Sequence, residues 1–336
     1  MKLSVIIPVY NGADFIEKSY RSITNQNLED FEIIYVNNNS SDGTRLQIQA
    51  LIERDQRVIL LEQPTQGTSY ARNMGIRAAQ GEYVYVFDVD DEIYPNALNK
   101  MISVLDLHQD VDAVFGKMVK SYHGISDTAK PQDETDEVIL NPAPHWGLHW
   151  FSSLRNVVGP PAFLYRKKVF DKIGLYNENL KNDEDTALDI KLGMTCQVAF
   201  IDTYVYLYFK HQNSTIQQTK QKGGMIFHTW NRFTKEHLPF YLNNKVPFEF
   251  KEVLFMQLFS SLGKLVYYKT GYAKRKLQLK EILGDIKPIE VPFYIRFYLF
   301  ILVLFPFKLA LKFYVYYLSP WHVDRILKKE TINNTE

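Results

Sequence analysis

The sequence has one cysteine, almost no net charge and no long apolar run, and each scarcity excludes a class of protein. Cys196 is the only cysteine, so no internal disulfide can form, and the chain suits a reducing cytoplasm. A net charge of +1 argues against a general nucleic-acid-binding surface. The charge-free core of the most apolar segment, residues 297–307, is too short for a simple transmembrane helix, which needs about 20 residues.

Aromatic residues and an uneven distribution of charge are the main features of the composition. The 336 residues include 22 Tyr and 22 Phe, and 46% are hydrophobic, which is enough for one large domain or two smaller ones. Residues 1–244 carry 24 Lys and Arg against 30 Asp and Glu, whereas residues 245–330 carry 15 against 7. We therefore predict an acidic module followed by a basic one.

Apolar runs alternate with helical patterns over the first 90 residues. The runs with strand character cover 3–9, 31–36, 57–63 and 83–89, and the helical patterns between them cover 13–25, 44–54 and 68–79. This alternation predicts an α/β fold with a Rossmann-like, doubly wound sheet. Residues 121–147 are polar and rich in proline and are expected to form a loop or lid. Residues 156–209 are expected to continue the α/β structure, with helices from about residue 215.

Three polar clusters follow predicted strands directly. They are Tyr10-Asn11, residues 37–42 and residues 88–92. In doubly wound sheets, ligands bind beyond the carboxyl ends of the strands. We therefore expect the three clusters to converge on one edge of the sheet and to form a binding site there.

The third cluster places Asp88, Asp90, Asp91 and Glu92 within five positions. Like charges this close repel one another, and burying them unpaired is costly. The cluster is therefore either an acidic turn solvated by water, before a helix that begins near Pro95, or the site of a cation. Carboxylates of this kind can hold a divalent cation against phosphate oxygens.

Seven motifs occur in an order and spacing that resemble the family-2 glycosyltransferases of the GT-A fold. They are VIIPVYNG, VNNNSSDGT, QGTSYARNMGI, FDVDDEIYPNAL, FLYRKKVFDKIGLYNENL, NDEDTALDIKL and YFKHQNST. The resemblance implies a mixed GT-A sheet and a catalytic domain over residues 1–215. Residues 1–115 would bind the nucleotide sugar and residues 116–215 the acceptor. A mainly helical extension, 216–330, and a short tail, 331–336, would follow.

The resemblance assigns the acidic cluster to a divalent cation, Mn²⁺ or Mg²⁺, that bridges the diphosphate of a nucleotide-sugar donor. Asp88 and Asp90 match the family's Asp-x-Asp motif. Asp90 would contact the metal, and Asp88 would contact the ribose, or the metal through water. His211 matches a family histidine that reaches the metal or the diphosphate.

By the same resemblance, the first two clusters bind the nucleoside. The residues implied are Pro8, Tyr10, Asn11, Asn38, Ser40 and Asp42. Tyr10 would stack on the base. Asn38 stands where the family commonly has an aspartate that accepts the N3–H of uracil, and an asparagine is a weaker, neutral acceptor. UDP is therefore the favoured nucleotide, but nucleotides with other bases are excluded less firmly than in family members that carry the aspartate. Asp42 is also suited to cap the helix that follows.

Two basic residues are implied to contact the diphosphate. Arg72 lies in a close match to the family's Ala-Arg-Asn-x-Gly motif, and its guanidinium offers charge-assisted hydrogen bonds. The alternative for Arg72 is a helical arginine paired with a nearby acid. Lys210, next to His211, is the second predicted phosphate contact.

The acceptor side has one predicted base and three predicted binding residues. Asp185 matches the family's catalytic base, which takes the proton of the acceptor hydroxyl, and Glu184 is its neighbour in the motif. Trp146 and Trp150, in HWGLHW, are predicted to offer indole faces to an acceptor sugar. A buried aromatic cluster is the alternative for the two tryptophans.

Residues 291–319 are the most apolar part of the chain and matched no family motif. Arg296, Lys308 and Lys312 flank their charge-free core. This pattern favours a helix that lies in the interface of an anionic membrane. A buried helical hairpin or an oligomer interface formed by the C-terminal helices is the alternative.

The expected function is that of an inverting, metal-dependent glycosyltransferase. It would move a sugar from a nucleotide-diphosphate donor to a hydroxyl of a glycan or lipid-linked oligosaccharide in cell-surface polysaccharide biosynthesis. The expected location is the cytoplasm, peripherally on the inner face of the cell membrane, with no nucleic-acid partner. A nucleotidyltransferase on a similar fold and a non-catalytic sugar-binding scaffold are the alternatives. The former would need a glycine-rich basic loop after the first strand, for which residues 11–14 are a poor match.

Overall fold

The structure, a computed structural model, describes residues 1–211 and 225–333. The chain divides into two compact units, Met1–Gln218 and Thr219–Glu336, called the first and second unit below. By sequence, the first unit carries 20 Lys and Arg against 29 Asp and Glu, and the second carries 19 against 9.

The first unit is built on one nine-stranded mixed sheet. Its strands are β1 (Leu3–Val9), β2 (Phe31–Asn37), β3 (Val58–Glu62), β4 (Tyr83–Val86), β5 (Glu92–Ile93), β6 (Ala113–Ser121), β7 (Val138–Asn141), β8 (Phe163–Arg166) and β9 (Val198–Phe209). The order in the sheet is β3-β2-β1-β4-β8-β6-β9-β5, and β7 pairs with β9. The prediction of an α/β fold with a doubly wound, mixed sheet is confirmed.

The first four strands form a continuous parallel part of the sheet, and helices connect them; β6 and β9 are a second parallel pair. The helices of this half are α1 (Ile16–Thr24), α2 (Thr44–Arg54), α3 (Thr68–Ala78) and α4 (Ala97–Leu107). Strand β1 pairs in parallel with β2 and β4, and its apolar side chains are buried because helices cover the sheet. Helix α3 lies unusually close to β1, since a Cβ on Gly75 would lie 2.3 Å from Cγ2 of Ile6.

The second half of the first unit carries three further helices: α5 (His145–Ser152), α6 (Val169–Ile173) and α7 (Glu184–Thr195). The backbones of α5 and α7 touch, since a Cβ on Gly147 would lie 2.4 Å from the amide nitrogen of Met194. Residues 121–147 are not only a loop, because β7 forms within them and pairs with β9.

The second unit consists of helices in the part that the structure describes, as the sequence predicted. They are α8 (Met225–Arg232), α9 (Leu238–Asn243), α10 (Phe248–Tyr267), α11 (Tyr272–Asp285), α12 (Phe293–Leu304), α13 (Lys308–Phe313) and α14 (Ser319–Asn333). Single π-helical turns, Phe233–His237 and Tyr314–Leu318, join α8 to α9 and α13 to α14. Within residues 1–211 and 225–333, no helix combines the length and hydropathy needed to cross a bilayer.

Candidate active site

The loops that follow β1 and β2 are held together by hydrogen bonds between them. The amide of Asn11 donates to Oγ of Ser40 over 2.9 Å, and Oδ1 of Asn11 accepts from the amide of Ser41 over 2.8 Å. Asp42 accepts from the amide of Ala13 over 3.1 Å and from the amide of Thr44 over 3.0 Å. Asp42 therefore joins the two loops and also satisfies the start of α2, the capping role expected for it.

The acidic turn after β4 lies against the same edge of the sheet. A Cβ on Gly12, in the loop after β1, would lie 3.3 Å from a methyl group of Val89. The three polar clusters therefore converge, as expected from the carboxyl ends of parallel strands. Glu92 points away from the cluster's centre, since Oε1 pairs with Nζ of Lys18 over 2.9 Å and accepts from the amide of Ile125.

Asp91 fixes the position of this turn, a role that the sequence did not reveal. Its side chain is buried, and Oδ1 accepts a hydrogen bond of 2.9 Å from the amide of Phe209, at the end of β9. Burial, with the charges of Asp88 and Asp90, raises the pKa of Asp91 well above its ordinary value. The contact brings His211, two residues beyond Phe209, towards the acids after β4.

Arg72 connects the acidic turn to the start of α7. Its side chain is only 5% exposed, and Nη2 donates to Oδ1 of Asp88 over 3.0 Å while Nη1 donates to Oε1 of Glu184 over 3.1 Å. The ring of Tyr176 lies beside the guanidinium, 5.1 Å away. Both terminal nitrogens are thus bonded to carboxylates, as in the paired-arginine alternative, and the predicted contact of Arg72 with a diphosphate stays a prediction. Glu184, predicted to bind the acceptor, is buried in the same interaction.

Burial and mutual repulsion raise the proton affinity of these acids. Burial raises the pKa of Asp88, and the charge of Asp90 raises it further, against the opposing effect of Arg72. Burial and the charge of Asp185 raise the pKa of Glu184 to about 7, again against Arg72. The site therefore concentrates the negative charge of several carboxylates around one buried cation, Arg72. A bound divalent ion would partly neutralise that negative charge.

Asp185 is placed at the first turn of α7, next to the buried Glu184. It is half-buried and contributes to the electrostatic environment of Asp88 and Arg72, so it lies within the same cluster. Asp183, the residue before α7, has a left-handed backbone conformation with φ 62°, which turns the chain into the helix. This arrangement leaves Asp185 at the more accessible side of the acidic pair.

Asp90 and His211 face each other, with 2.8 Å between Oδ2 and Nε2. The rings of Phe15 and Phe209 pack against the imidazole, each with its centroid 5.7 Å away. In the described parts of the chain, no three or more acidic, histidine or cysteine side chains form a complete metal site. Mg²⁺ and similar ions commonly use one or two carboxylates and complete their shell with substrate phosphates. The Asp90 carboxylate fits that kind of ion, and the imidazole of His211 lies beside it.

The Asn38 side chain is bonded to the loop between β3 and α3, and its predicted contact with a base stays a prediction. Its side chain is buried, Nδ2 donates to the carbonyls of Gln63 and Thr65, and Oδ1 accepts from the amide of Gly67 over 2.7 Å. An aspartate could not donate these two bonds. The departure from the family pattern at this position therefore has a structural reason, because only the amide satisfies both carbonyls and the N–H.

The remaining predicted donor residues lie around the rim of the site. Pro8 is paired with β2 near the end of β1, and Tyr10 is 53% exposed just beyond it. The amide of Lys210 donates to the carbonyl of Ser121 over 2.7 Å, and its ammonium lies 5.2 Å from the ring centre of Tyr122. Tyr10 is thus accessible to a ligand at the carboxyl edge.

Trp146 and Trp150 belong to an aromatic cluster with Phe115 and Phe163. Trp150 is 1% exposed and lies 5.2 Å from the Phe115 ring, so a role in an acceptor platform does not fit its burial. Trp146 is half-buried, and its Nε1 donates to the carbonyl of Val198 over 3.0 Å. The buried-cluster alternative describes this pair.

Asn73 and Tyr176 support the site without having been predicted to contact it. Nδ2 of Asn73 donates to the carbonyl of Tyr176 and to Oε1 of Glu178, each over 2.9 Å, and Oδ1 accepts from the amide of Tyr176. These contacts join α3 to the segment before α7. The Arg72-Asn73 pair in the motif was the available signal, but its partners Glu184 and Tyr176 lie more than 100 residues away.

A family profile described as "Glycosyl transferase family 2" matches residues 4–174, about half of the chain. The chain belongs to glycosyl transferase family 2. The uncharacterized glycosyltransferase EpsJ of Bacillus subtilis is 28% identical over 233 residues, which cover 69% of this chain and 67% of EpsJ. Some relatives are longer, and this chain spans 48% of an uncharacterized glycosyltransferase from Rickettsia conorii.

Solved structures show the same fold. The structure of Staphylococcus aureus TarS 1–349 in complex with UDP-GlcNAc has a TM-score of 0.64 at 20% identity, covering 99% of this chain and 92% of that chain. The mannosyltransferase PcManGT of Pyrobaculum calidifontis, in complex with GDP-Man and Mn²⁺, has a TM-score of 0.54 at 18% identity, covering 94% and 87%. The prediction of a GT-A fold with a helical C-terminal region is thereby confirmed.

Proposed function

We propose that this family-2 glycosyltransferase is inverting and metal-dependent. It transfers a sugar from a nucleotide-diphosphate donor, with UDP favoured, to a hydroxyl of a glycan or lipid-linked oligosaccharide in surface-polysaccharide biosynthesis. The observation that carries the proposal is the pair of hydrogen bonds from Arg72 to Asp88 and Glu184. They join the acidic strand end, suited to a diphosphate, to the helix start that holds Asp185.

The donor half of the proposal rests on the carboxyl edge of the sheet. Tyr10 is exposed where a base would stack, and Asn11, Ser40 and Asp42 form the bonded loops beside it. TarS was determined with UDP-GlcNAc and PcManGT with GDP-Man and Mn²⁺, so the fold accommodates more than one base. UDP remains the first choice because of the motif resemblance.

Asp90 and His211 are the residues that would hold the cation, with Asp88 beside them. A divalent ion supplies charge neutralisation at the diphosphate. Arg72 fixes Asp88 and Glu184 in position, and its remaining N–H groups would offer hydrogen bonds to the diphosphate. Lys210 extends the positive charge at the end of β9 and would meet phosphate oxygens from that side.

The acceptor half of the proposal makes Asp185 the general base. Its carboxylate takes the proton of the acceptor hydroxyl, while the hydroxyl oxygen forms a bond to the anomeric carbon of the donor sugar. The bond between that carbon and the phosphate oxygen breaks, and the nucleoside diphosphate leaves with the electron pair. A single displacement of this kind inverts the configuration at the anomeric carbon. Glu184, held by Arg72, keeps the adjacent peptide in place.

The test is Asp185→Asn. We expect the variant to lose transfer by at least about a hundredfold, because the amide cannot accept the proton. Donor binding, measured by calorimetry with a nucleoside diphosphate and Mn²⁺, should remain near that of the unaltered chain. Asp183→Asn, a neighbouring acid outside the predicted base position, is the matched control and should retain transfer. Loss of donor binding in Asp185→Asn would reassign this residue to the donor site.

We further propose that the enzyme works on the cytoplasmic face of a membrane, where a lipid-linked acceptor would be presented. The basic, aromatic second unit supports this location.

A further inference from the structure

Helix α12 is apolar on two opposite faces. Its inner face, with Ile295, Leu299 and Val303, is fully buried within the second unit. Its outer face is exposed and consists of Phe293, Arg296, Phe297, Phe300 and Leu304. The four apolar side chains of that face are 40–80% exposed. A helix on a protein surface ordinarily carries polar residues outwards, so this outer face is built for a partner other than water.

The turn after α12 extends the same kind of surface. Phe305 and Phe307 flank Pro306 with their rings stacked, 6.3 Å apart and nearly parallel, and they are 54% and 65% exposed. Leu309, in the first turn of α13, is 78% exposed. Three large apolar side chains are therefore presented to solvent within five residues.

The next helices border α12 through ring contacts. The ring of Tyr298 lies 5.7 Å from that of Phe313, and the ring of Tyr294 lies 5.7 Å from that of Trp321. Phe313 and Trp321 are themselves about half exposed. We call the exposed side chains within residues 293–321 the aromatic face.

The aromatic face is unusual within the described chain. It contains eleven of the 25 large apolar side chains that are exposed in the described residues. Exposed apolar surface concentrated in this way marks an interaction site. Residues 291–323 also contain three basic residues, Arg296, Lys308 and Lys312, and no acidic residue. A partner must therefore be apolar and negatively charged at once.

We propose that the aromatic face docks in the interfacial layer of a bilayer that contains anionic lipid, with α12 parallel to the membrane plane. The 12 residues of α12 extend about 18 Å, well short of the roughly 30 Å of a hydrocarbon core. Phenylalanine and leucine enter the acyl boundary, tyrosine and tryptophan remain at headgroup level, and the lysines meet lipid phosphates. This gives the proposed membrane location a defined surface and is independent of the transfer reaction.

Vesicle co-sedimentation tests the proposal with the full chain and no sugar donor. The chain should sediment with phosphatidylglycerol-containing vesicles. The variant Phe297→Ser/Phe300→Ser/Phe307→Ser should lower the partition constant at least about tenfold, because three apolar side chains are lost from the bilayer. Lys308→Gln/Lys312→Gln should lower it about fivefold for each lysine removed.

The matched control is Phe248→Ser/Tyr272→Ser, which removes similarly exposed aromatic residues of the second unit, 50% and 48%, outside the aromatic face. This variant should bind vesicles as the unaltered chain does. Thermal unfolding of each variant verifies folding. Equal binding by the triple variant, or no binding by the unaltered chain, overturns the proposal. Light scattering that shows a dimer for the unaltered chain and a monomer for the triple variant also overturns the proposal, because the aromatic face would then bind a second copy of the chain.

Trp321 offers a direct measurement of contact. It is 51% exposed, whereas Trp150 and Trp230 are buried and Trp146 is half-buried. Lipids brominated near the headgroup end of the acyl chain should quench tryptophan emission, and more strongly than lipids brominated near the chain end. Trp321→Phe should abolish this quenching. Quenching that persists in Trp321→Phe, or none in the unaltered chain, contradicts the proposed docking.

Discussion

Arg72 shows how one side chain gives the active site its geometry. Its guanidinium is buried between Asp88 and Glu184, which belong to motifs separated by nearly a hundred residues. A planar fork of donors can bond two carboxylates at once, which a lysine ammonium does with less geometric definition. The arginine therefore sets the distance between the strand end that would face a donor and the helix start that holds Asp185.

We expect Arg72→Met to destabilise the protein by about 3–5 kcal/mol, because the buried Glu184 and the half-buried Asp88 lose their cation. The corresponding fall in melting temperature is about 10 °C, measured by circular dichroism, with loss of transfer activity. Arg77→Met on the same helix is the control, since Arg77 is 62% exposed and its nitrogen lies 3.8 Å from Glu178. Its effect should stay below about 1 kcal/mol. Equal stability of the two variants would contradict the role of Arg72.

Glu184 gives a prediction about pH. Its pKa rises from 4.5 to about 7 in the folded chain, so the native state binds this proton more tightly than the unfolded state. The stability that Glu184 contributes is therefore complete below pH 4.5 and is lost as the pH rises through about 7. Glu184→Gln should remove this component, on the order of 1–3 kcal/mol, from the dependence of unfolding free energy on pH.

Urea unfolding at a series of pH values measures this difference. Other carboxylates titrate in both proteins, so the measured quantity is the difference between them: from pH 4.5 to about 7 the unaltered chain should lose more stability than the variant as the pH rises. Identical slopes for the two proteins would show that Glu184 is ionised alike in the folded and unfolded states.

At the scale of elements, the contact of α5 with α7 holds the helix of Asp185. Neither helix could approach so closely with a side chain at the crossing, because a Cβ on Gly193 would lie 2.4 Å from the amide nitrogen of Gly147. Helix α7 is otherwise anchored at its start by Glu184 and Arg72. Packing at one end and an ion pair at the other thus define where Asp185, the proposed base, stands.

Gly193→Ala should therefore separate α5 from α7 and displace Asp185. We expect a loss of about 1–3 kcal/mol from overpacking and a fall in turnover of about tenfold or more, since small displacements at a reacting group are costly. Gly284→Ala is the control, because nothing lies within 4 Å of its Cβ position. That change should be neutral or slightly stabilising in a helix. Calorimetric unfolding and initial transfer rates measure both effects.

The elements differ in how far the sequence could predict them. The alternation of apolar runs and helices in residues 1–86 is local, so β1 to β4 and α1 to α3 followed from it. Strand β7 did not, because its hydrogen bonds go to β9, about 60 residues away. The position of Trp150 in the core depends on Phe115 and Phe163, which no local pattern reveals.

The candidate site, like the fold, was predictable only where local sequence and sheet topology determine it. Converging clusters after parallel strands followed from sheet topology. The partners of Arg72 and Asn38 did not, because each depends on a loop or helix that the fold brings close. The motifs predict ligand contacts for both residues but do not reveal the bonds that their side chains make within the protein. The role of Asp91 in fixing the turn after β4 could have been inferred only from the excess of acidic residues in its cluster.

At the scale of the whole molecule, charge is divided between the two units. The second unit carries ten more basic than acidic residues, 19 against 9, while the first carries nine more acidic ones, 29 against 20. Net charge close to zero therefore conceals a strongly polarised chain. A basic unit with an exposed aromatic face should bind anionic surfaces through two contributions. The electrostatic attraction is sensitive to salt, and the apolar contact is not.

Raising the salt concentration should weaken but not abolish binding to phosphatidylglycerol vesicles. The Debye length falls from about 10 Å at 0.1 M to about 3 Å at 1 M, which screens the basic residues and leaves the apolar contact. We expect co-sedimentation to fall by about tenfold over this range, with a measurable remainder. Binding that disappears completely would assign the whole effect to charge, and binding that does not change would assign it to the aromatic face alone.

The close contact of Gly75 with Ile6 has a consequence for engineering donor preference. Helix α3 cannot move closer to the sheet, and its residues Arg72 and Asn73 bond to the other half of the first unit. The frame around the proposed nucleotide site is therefore stiff, and a larger or differently shaped base would have to be accommodated by the connecting loops. Libraries aimed at a new sugar nucleotide should vary residues 10–13, 38–41 and 63–67 and leave α3 untouched.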